Sequence, residues 1–219
     1  MDDGPRWGRG WVSLGLWLGL ESLLFGGIVL AAVVFPNRET LLAAAAAPEV
    51  GAWFVLGPHV LGLGWLVATE RGRLASRLRP SGRNLGWGVG GAVAMILAGG
   101  AWSWLLEAAG VKLPDTAAYL RGVVPSPAVL LLWGACLVPF VEESWFRGRF
   151  LEAVRSRLDV RWAYLMTSVL FSAVHGIVEL LPAYFVLATI LFVLRERTGG
   201  LFAPIVAHAL NNLWGLVVS

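Results

Sequence analysis

Glu142 and Glu143 stand side by side in an apolar run, and Arg147 follows the second of them at four-residue spacing. On a helix, adjacent residues point about 100° apart, while residues at i and i+4 stack on one face. Glu143 therefore lies over Arg147 as an intrahelical ion pair. Glu142 is left as an unpaired carboxylate facing the bundle interior, the group a general base requires. His208 and Asn212 repeat the four-residue spacing, so an imidazole and a carboxamide share one stripe, and either can donate a hydrogen bond to a developing oxyanion. Phe171 and His175 form a third such pair, with Phe171 suited to walling off water. Together these residues have the parts for water-mediated hydrolysis.

Other polar residues read more plainly. His59 stands in an apolar stretch without a partner motif, Glu21 is isolated, and Glu107 falls toward an interface. Glu179, four residues after His175, can orient that imidazole. Cys136 has no second cysteine to pair with and reads as a small core residue.

The setting for these groups is greasy. With 58% hydrophobic and 14% charged residues and a mean hydropathy of +0.72, the chain departs from soluble domains, whose apolar share sits near 45 to 50%. Twelve Trp and 27 Gly agree with a membrane protein, Trp favouring the headgroup level and Gly allowing close helix approach. An ionisable group in hydrocarbon costs roughly 2.5 to 3.5 kcal/mol even on lenient insertion scales, so each one marks a functional position by default.

Seven apolar stretches remain when the chain is cut at its charges, prolines and glycines: Trp11 to Phe35, Val50 to Ala68, Leu85 to Leu106, Pro127 to Val141 with its helix running on to Phe150, Trp162 to Leu181, Ala183 to Leu194, and Leu201 to Val218. The fold class predicted is all-α, a polytopic transmembrane helix bundle of about seven spans. Leu42 to Pro48 reads as a short external helix or loop. Residues 1–126 form an amino-terminal scaffold of three spans and residues 127–219 a catalytic core. Arginines follow alternate spans, at Arg71 to Arg83, Arg147 to Arg161, and Arg195 with Arg197, which places the amino terminus in the cytoplasm. That topology sets His175 a little past midway along the fifth span, and Glu142, His175 and His208 all in the cytoplasmic half. The basic balance (pI near 9.6) follows helix ends instead of forming one block, so no nucleic-acid partner is expected.

Glu142-Glu143-x-x-x-Arg147, then Phe171-x-x-x-His175, then His208-x-x-x-Asn212 resembles the motif set of the type II CAAX prenyl endopeptidases, also called the CPBP or ABI family of intramembrane proteases. The resemblance covers about Pro127 to Ser219. It implies that Glu142 activates a water with help from His175, that His208 and Asn212 hold the oxyanion, and that Glu143, Arg147 and Phe171 support them. The family is often labelled metalloprotease, and Glu142, His175 and His208 are the three residues that would ligate a catalytic zinc. No HExxH motif is present, and a glutamate-activated water needs no ion. The expected partners are a protein or peptide substrate and the lipid bilayer. The arginine-rich, lysine-poor composition suits the inner membrane of a bacterium, where family members often act on substrates other than prenylated proteins.

The alternatives are a non-catalytic immunity or adaptor protein and a proton-coupled carrier using Glu142 and His175. A carrier commonly shows inverted repeats and broken helices, which this sequence does not display. A serine mechanism lacks a GxSx motif, and an aspartyl mechanism fails because the aspartates lie in loops or the amino-terminal tail.

Overall fold

A computed structural model describes residues 48–113, 115–175 and 177–218. The apolar stretch from Trp11 to Phe35 and most of the alanine run from Leu42 to Pro48 lie outside the described residues. What is described is helical, with no strand: α1 Pro48–Leu78, α2 Gly82–Ala108, a short α3 Thr116–Val123, α4 Pro127–Arg155, α5 Val160–Val174, α6 Leu181–Thr198 and α7 Phe202–Val218. Four segments are long and apolar enough to cross a membrane: Gly51–Leu78, Gly82–Ala108, Pro127–Arg155 and Val178–Thr198. The described residues form an all-α bundle of these four segments and the shorter apolar helices α5 and α7, as expected of a polytopic helical protein.

Two helices exceed their apolar stretches because their polar extensions are paired. α1 runs on through Glu70 and Arg77, whose Nη1 donates to Glu70 Oε2 at 2.8 Å. α6 runs on through Arg195 and Glu196, which pair with Glu152 at 3.8 Å and Arg155 at 2.6 Å. α5 is shorter than expected: it stops at Val174, and its 15 residues rise about 22 Å, less than the roughly 30 Å hydrocarbon core. Ser172 ties the following turn by donating to the Leu181 carbonyl at 2.6 Å, so His175 caps a helix end and does not sit midway along a span.

One apolar core crosses the 126/127 boundary. Leu66 of α1 and Met95 of α2 pack with Val141, Trp145 and Phe146 of α4, Phe171 of α5, Leu191 of α6 and Ala207 of α7. α2 lies against α7 through small residues. Its buried stripe is Asn84, Gly88, Gly91, Ala92 and Met95, and α7 presents Ala203, Pro204 and Ala207 beside His208. Without a hydrophobic drive between helices in lipid, such stripes work by letting backbones come close enough for dispersion and polar contacts. A Cβ at Gly88 would stand 2.8 Å from Val206 Cβ and 3.0 Å from the Ala203 carbonyl oxygen, neither of which can swing away.

α4 is not a uniform α-helix. Trp133–Leu137 and Ser144–Phe150 are π-helical and flank the α-helical turn Val138–Glu143. Val138 N–H reaches past Gly134 to the Trp133 carbonyl, and Leu151 N–H reaches past Arg147 to the Phe146 carbonyl. The two bypassed carbonyls are taken by side chains of other helices. Asn212 Nδ2 of α7 donates to Gly134 O at 3.0 Å, and Arg195 Nε of α6 donates to Arg147 O at 3.2 Å.

Cys136 is exposed on α4, not a core residue, and lines an apolar groove of about 520 Å³ with Leu63, Phe140, Ile205 and Ala209.

Gly88→Ala is expected to lower stability by about 1–3 kcal/mol through overpacking of α2 on α7. Gly90→Ala, where an added Cβ meets open space, should be neutral. Thermal unfolding of the two variants in one detergent makes the comparison.

Candidate functional site

Arg147 has no exposed surface, and neither does Glu143. Its Nη1 donates to Glu143 Oε1 at 3.2 Å, its Nη2 donates to the Ala188 carbonyl at 3.2 Å, and its guanidinium carbon lies 4.2 Å from the centroid of the Phe171 ring. A buried cation thus meets a carboxylate, a carbonyl and an aromatic face, the three kinds of group that compensate lost hydration. The four-residue pairing of Glu143 with Arg147 expected from the motif is present.

Glu143 Oε1 also accepts from His208 Nδ1 at 3.0 Å. A carboxylate held by an arginine can only accept, so Nδ1 carries the proton and the other ring nitrogen, Nε2, is the one left for chemistry. That Nε2 stands 4.0 Å from Glu142 Oε2. Oε2 is buried and bonded to none of the described residues. The neighbouring glutamates therefore diverge as their helical spacing dictates, and both still reach His208, one at each ring nitrogen.

Glu142 is not an unpaired carboxylate. Its Oε1 lies 3.4 Å from Nε2 of His59 on α1, whose Nδ1 donates to the Val55 carbonyl at 3.2 Å. The apolar surroundings of His59 concealed this contact, because its partner lies 83 residues away in sequence. The signal available was the histidine itself: the chain has three, and two were already assigned to motifs.

His175 donates from Nδ1 to the Phe171 carbonyl at 2.7 Å, stacks on Tyr184 with centroids 4.1 Å apart, and tilts against the Phe171 ring at 4.7 Å. It lies within electrostatic reach of Glu142 and His208 without a direct hydrogen bond to either. Tyr184 was not anticipated. Phe171 is more than a wall: its ring also meets His208 edge-on at 5.9 Å, so one aromatic touches both imidazoles and the guanidinium. Glu179 does not orient His175. Its side chain is exposed in the turn before α6, and its carbonyl accepts from Trp102 at 2.8 Å.

Asn212 is not hydrogen-bonded to the histidine and carboxylate cluster. One amide hydrogen goes to Gly134, which leaves the second available to a ligand.

Among the described residues no group of three or more His, Cys, Asp or Glu side chains is placed to hold a metal ion. Glu142, His175 and His208 do not make up such a group as their side chains stand. His208 Nε2 faces Glu142 across 4.0 Å, and His175 is turned into the Phe171 and Tyr184 rings.

Arg147→Met is expected to cost about 3–5 kcal/mol, because it leaves Glu143 as a buried charge with a weaker partner. The double variant Glu143→Gln with Arg147→Met should recover part of that loss, and denaturant unfolding in detergent measures the difference.

Residues 124–214 match the family described as "Type II CAAX prenyl endopeptidase Rce1-like". A protein of Escherichia coli described as "Uncharacterized 24.3 kDa protein" is 35% identical over 99 residues, a match covering 43% of this chain and 46% of that protein. This chain therefore aligns with less than half the length of that relative. No solved structure matches. The matched segment holds Glu142, Glu143, Arg147, Phe171, His175, His208 and Asn212, and it leaves out His59. Over residues 124–214, the chain is similar to the Rce1-like type II CAAX prenyl endopeptidases.

Proposed function

We propose that the protein is a membrane-embedded endopeptidase that hydrolyses a peptide bond by means of a water activated by Glu142. The single observation carrying this reading is the carboxylate with two different ends: Oε1 is engaged by His59, while buried Oε2 has no described partner and faces His208 Nε2 at 4.0 Å. Oε2 is the atom available to take a proton from water.

The chemistry balances on these residues. Water oxygen attacks the scissile carbonyl carbon, its proton passes to Glu142, and the carbonyl π electrons move onto oxygen. The oxyanion meets the unused N–H of Asn212 and His208, which acts as a donor when Nε2 is protonated. Glu143, already bonded to Nδ1, is the counter-ion for that cationic ring. Collapse of the intermediate breaks the C–N bond, and the Glu142 proton leaves with the amine. His175, fixed by Phe171 and Tyr184, orients the attacking water.

The arginine-flanked ends of α1, α4 and α6 support a cleavage point toward the cytoplasmic face, with the amino terminus on that side. The substrate is a protein or peptide reaching the site from the bilayer or its surface.

The test uses the full chain in lipid nanodiscs with an internally quenched peptide ending in a farnesylated Cys-aliphatic-aliphatic-X sequence, beside its unprenylated counterpart. The wild type should cleave at least one, and Glu142→Gln should reduce kcat by about 100- to 10,000-fold while keeping the fold. A wild type that cleaves neither peptide, or a variant that matches it, overturns the reading.

A further inference from the structure

His59 lies outside the segment that carries the family resemblance, yet it touches the residue on which the proposed chemistry turns. Its imidazole is held on three sides. Nδ1 donates to Val55 O at 3.2 Å, Nε2 meets Glu142 Oε1 at 3.4 Å, and the ring stands edge-on to Trp133 at 5.5 Å and 87°. With its side chain 12% exposed, the ring has little freedom to choose another partner. Because the Val55 carbonyl can only accept, Nδ1 keeps its proton, and Nε2 donates to the ionised Glu142 carboxylate in the imidazolium form of the ring.

The helix carrying His59 is itself registered against α4. His59, Leu63, Leu66 and Glu70 fall at i, i+4, i+7 and i+11 on one stripe of α1, eleven residues being close to three whole turns. Leu66 is fully buried against α4 residues Val141, Trp145 and Phe146. Farther along, Glu70 meets Arg149 at 3.5 Å and Arg77 bridges Glu70 and Glu152. The three polar contacts, His59 with Glu142, Glu70 with Arg149 and Arg77 with Glu152, rise together in residue number. α1 and α4 therefore run parallel, and their register is pinned at the site and at the charged end.

We infer that His59 is a positioning residue for Glu142, one imidazole supplied from outside the family-matched segment to hold Oε1 so that Oε2 stays turned toward His208. The inference rests on the endopeptidase reading for its catalytic consequence, but not for the contact itself. Carboxylate torsions at the end of a Glu side chain are broad, so a base that must meet water in one orientation gains from a fixed partner on the oxygen not in use. His59 acts through Glu142 and touches no reacting atom.

Two measurements on the full chain in nanodiscs test this. Because the chain has three histidines, histidine-selective 15N labelling gives three imidazole signal sets, assigned by single replacement of each. Glu142→Gln should displace the His59 Nε2 resonance, and Glu179→Gln, at an exposed carboxylate, should leave it in place. In the quenched-peptide assay His59→Leu should lower kcat by about 10- to 100-fold with KM unchanged, the scale on which orienting partners act. His59→Gln, which retains a donor, should restore most of the rate. An Nε2 signal indifferent to Glu142→Gln, or a His59→Leu variant with wild-type kcat, overturns the inference. If Glu142→Gln still cleaves peptide at the wild-type rate, the endopeptidase reading falls instead, while the resonance experiment continues to decide the contact.

Discussion

A guanidinium without exposed surface, deep in an apolar bundle, is the constraint around which the other helices are arranged. Arg147 requires an anion and further acceptors because the desolvation of an ion costs several kcal/mol even after relaxation. Glu143 of its own helix supplies the charge, α6 supplies the Ala188 carbonyl, and α5 supplies the face of Phe171. Glu143 then fixes His208 of α7, and Phe171 fixes His175 through its carbonyl and its ring. Three helices meet at one cation, and α7 joins them through Glu143. Buried ion pairs are poor evidence of added stability, since apolar replacements of equal volume often do as well. What this pair contributes is orientation: it sets which nitrogen of His208 is committed and which remains.

A second constraint comes from the backbone. In hydrocarbon every carbonyl must find a donor within the protein. The two π segments of α4 each bypass one carbonyl, Gly134 and Arg147, and each is met by a donor from a different helix, Asn212 and Arg195. π turns are frequent at functional sites because the extra residue re-aims the side chains around it. Here they bracket Glu142 and Glu143. The same hydrogen bonds that satisfy the carbonyls tie α7 and α6 to either end of that turn, so the departure from α geometry and the placement of the histidines are one arrangement.

What could be read from residue types and spacing was local. The i, i+4 relation of Glu143 to Arg147 is intrahelical, and the pair exists as expected. The divergence of Glu142 from Glu143 follows from the same geometry. The helical class follows from composition, although hydropathy alone misjudged lengths: it cut α1 before Glu70 and α6 before Arg195, residues that stay helical because ion pairs hold them. It extended α5 past Val174, where an apolar composition hides a turn. Long-range and backbone events left no local trace. Nothing near His59 points to a carboxylate 83 residues on, and the π turns arise from how α4 meets α7 and α6. Asn212 shares the His208 stripe, as its spacing requires, but its amide answers to Gly134.

These features bear on how a site in lipid keeps its polar groups from choosing among partners. An isolated Glu in hydrocarbon has no water to average over and takes whatever donor is nearest, so the orientation of Glu142 depends on the height of His59 along α1. That height is set at the other end of the contact by Glu70, Arg77, Arg149 and Glu152, and by the α6–α7 turn, where Leu201 N–H donates to the Arg77 carbonyl at 2.7 Å. Gly200 permits this approach, since a Cβ there would stand 2.9 Å from the same carbonyl oxygen. A slip of α1 by one turn, about 5.4 Å, would break the belt and remove His59 from Glu142 together. The charged end thus holds the register in which His59 reaches Oε1 of a buried carboxylate.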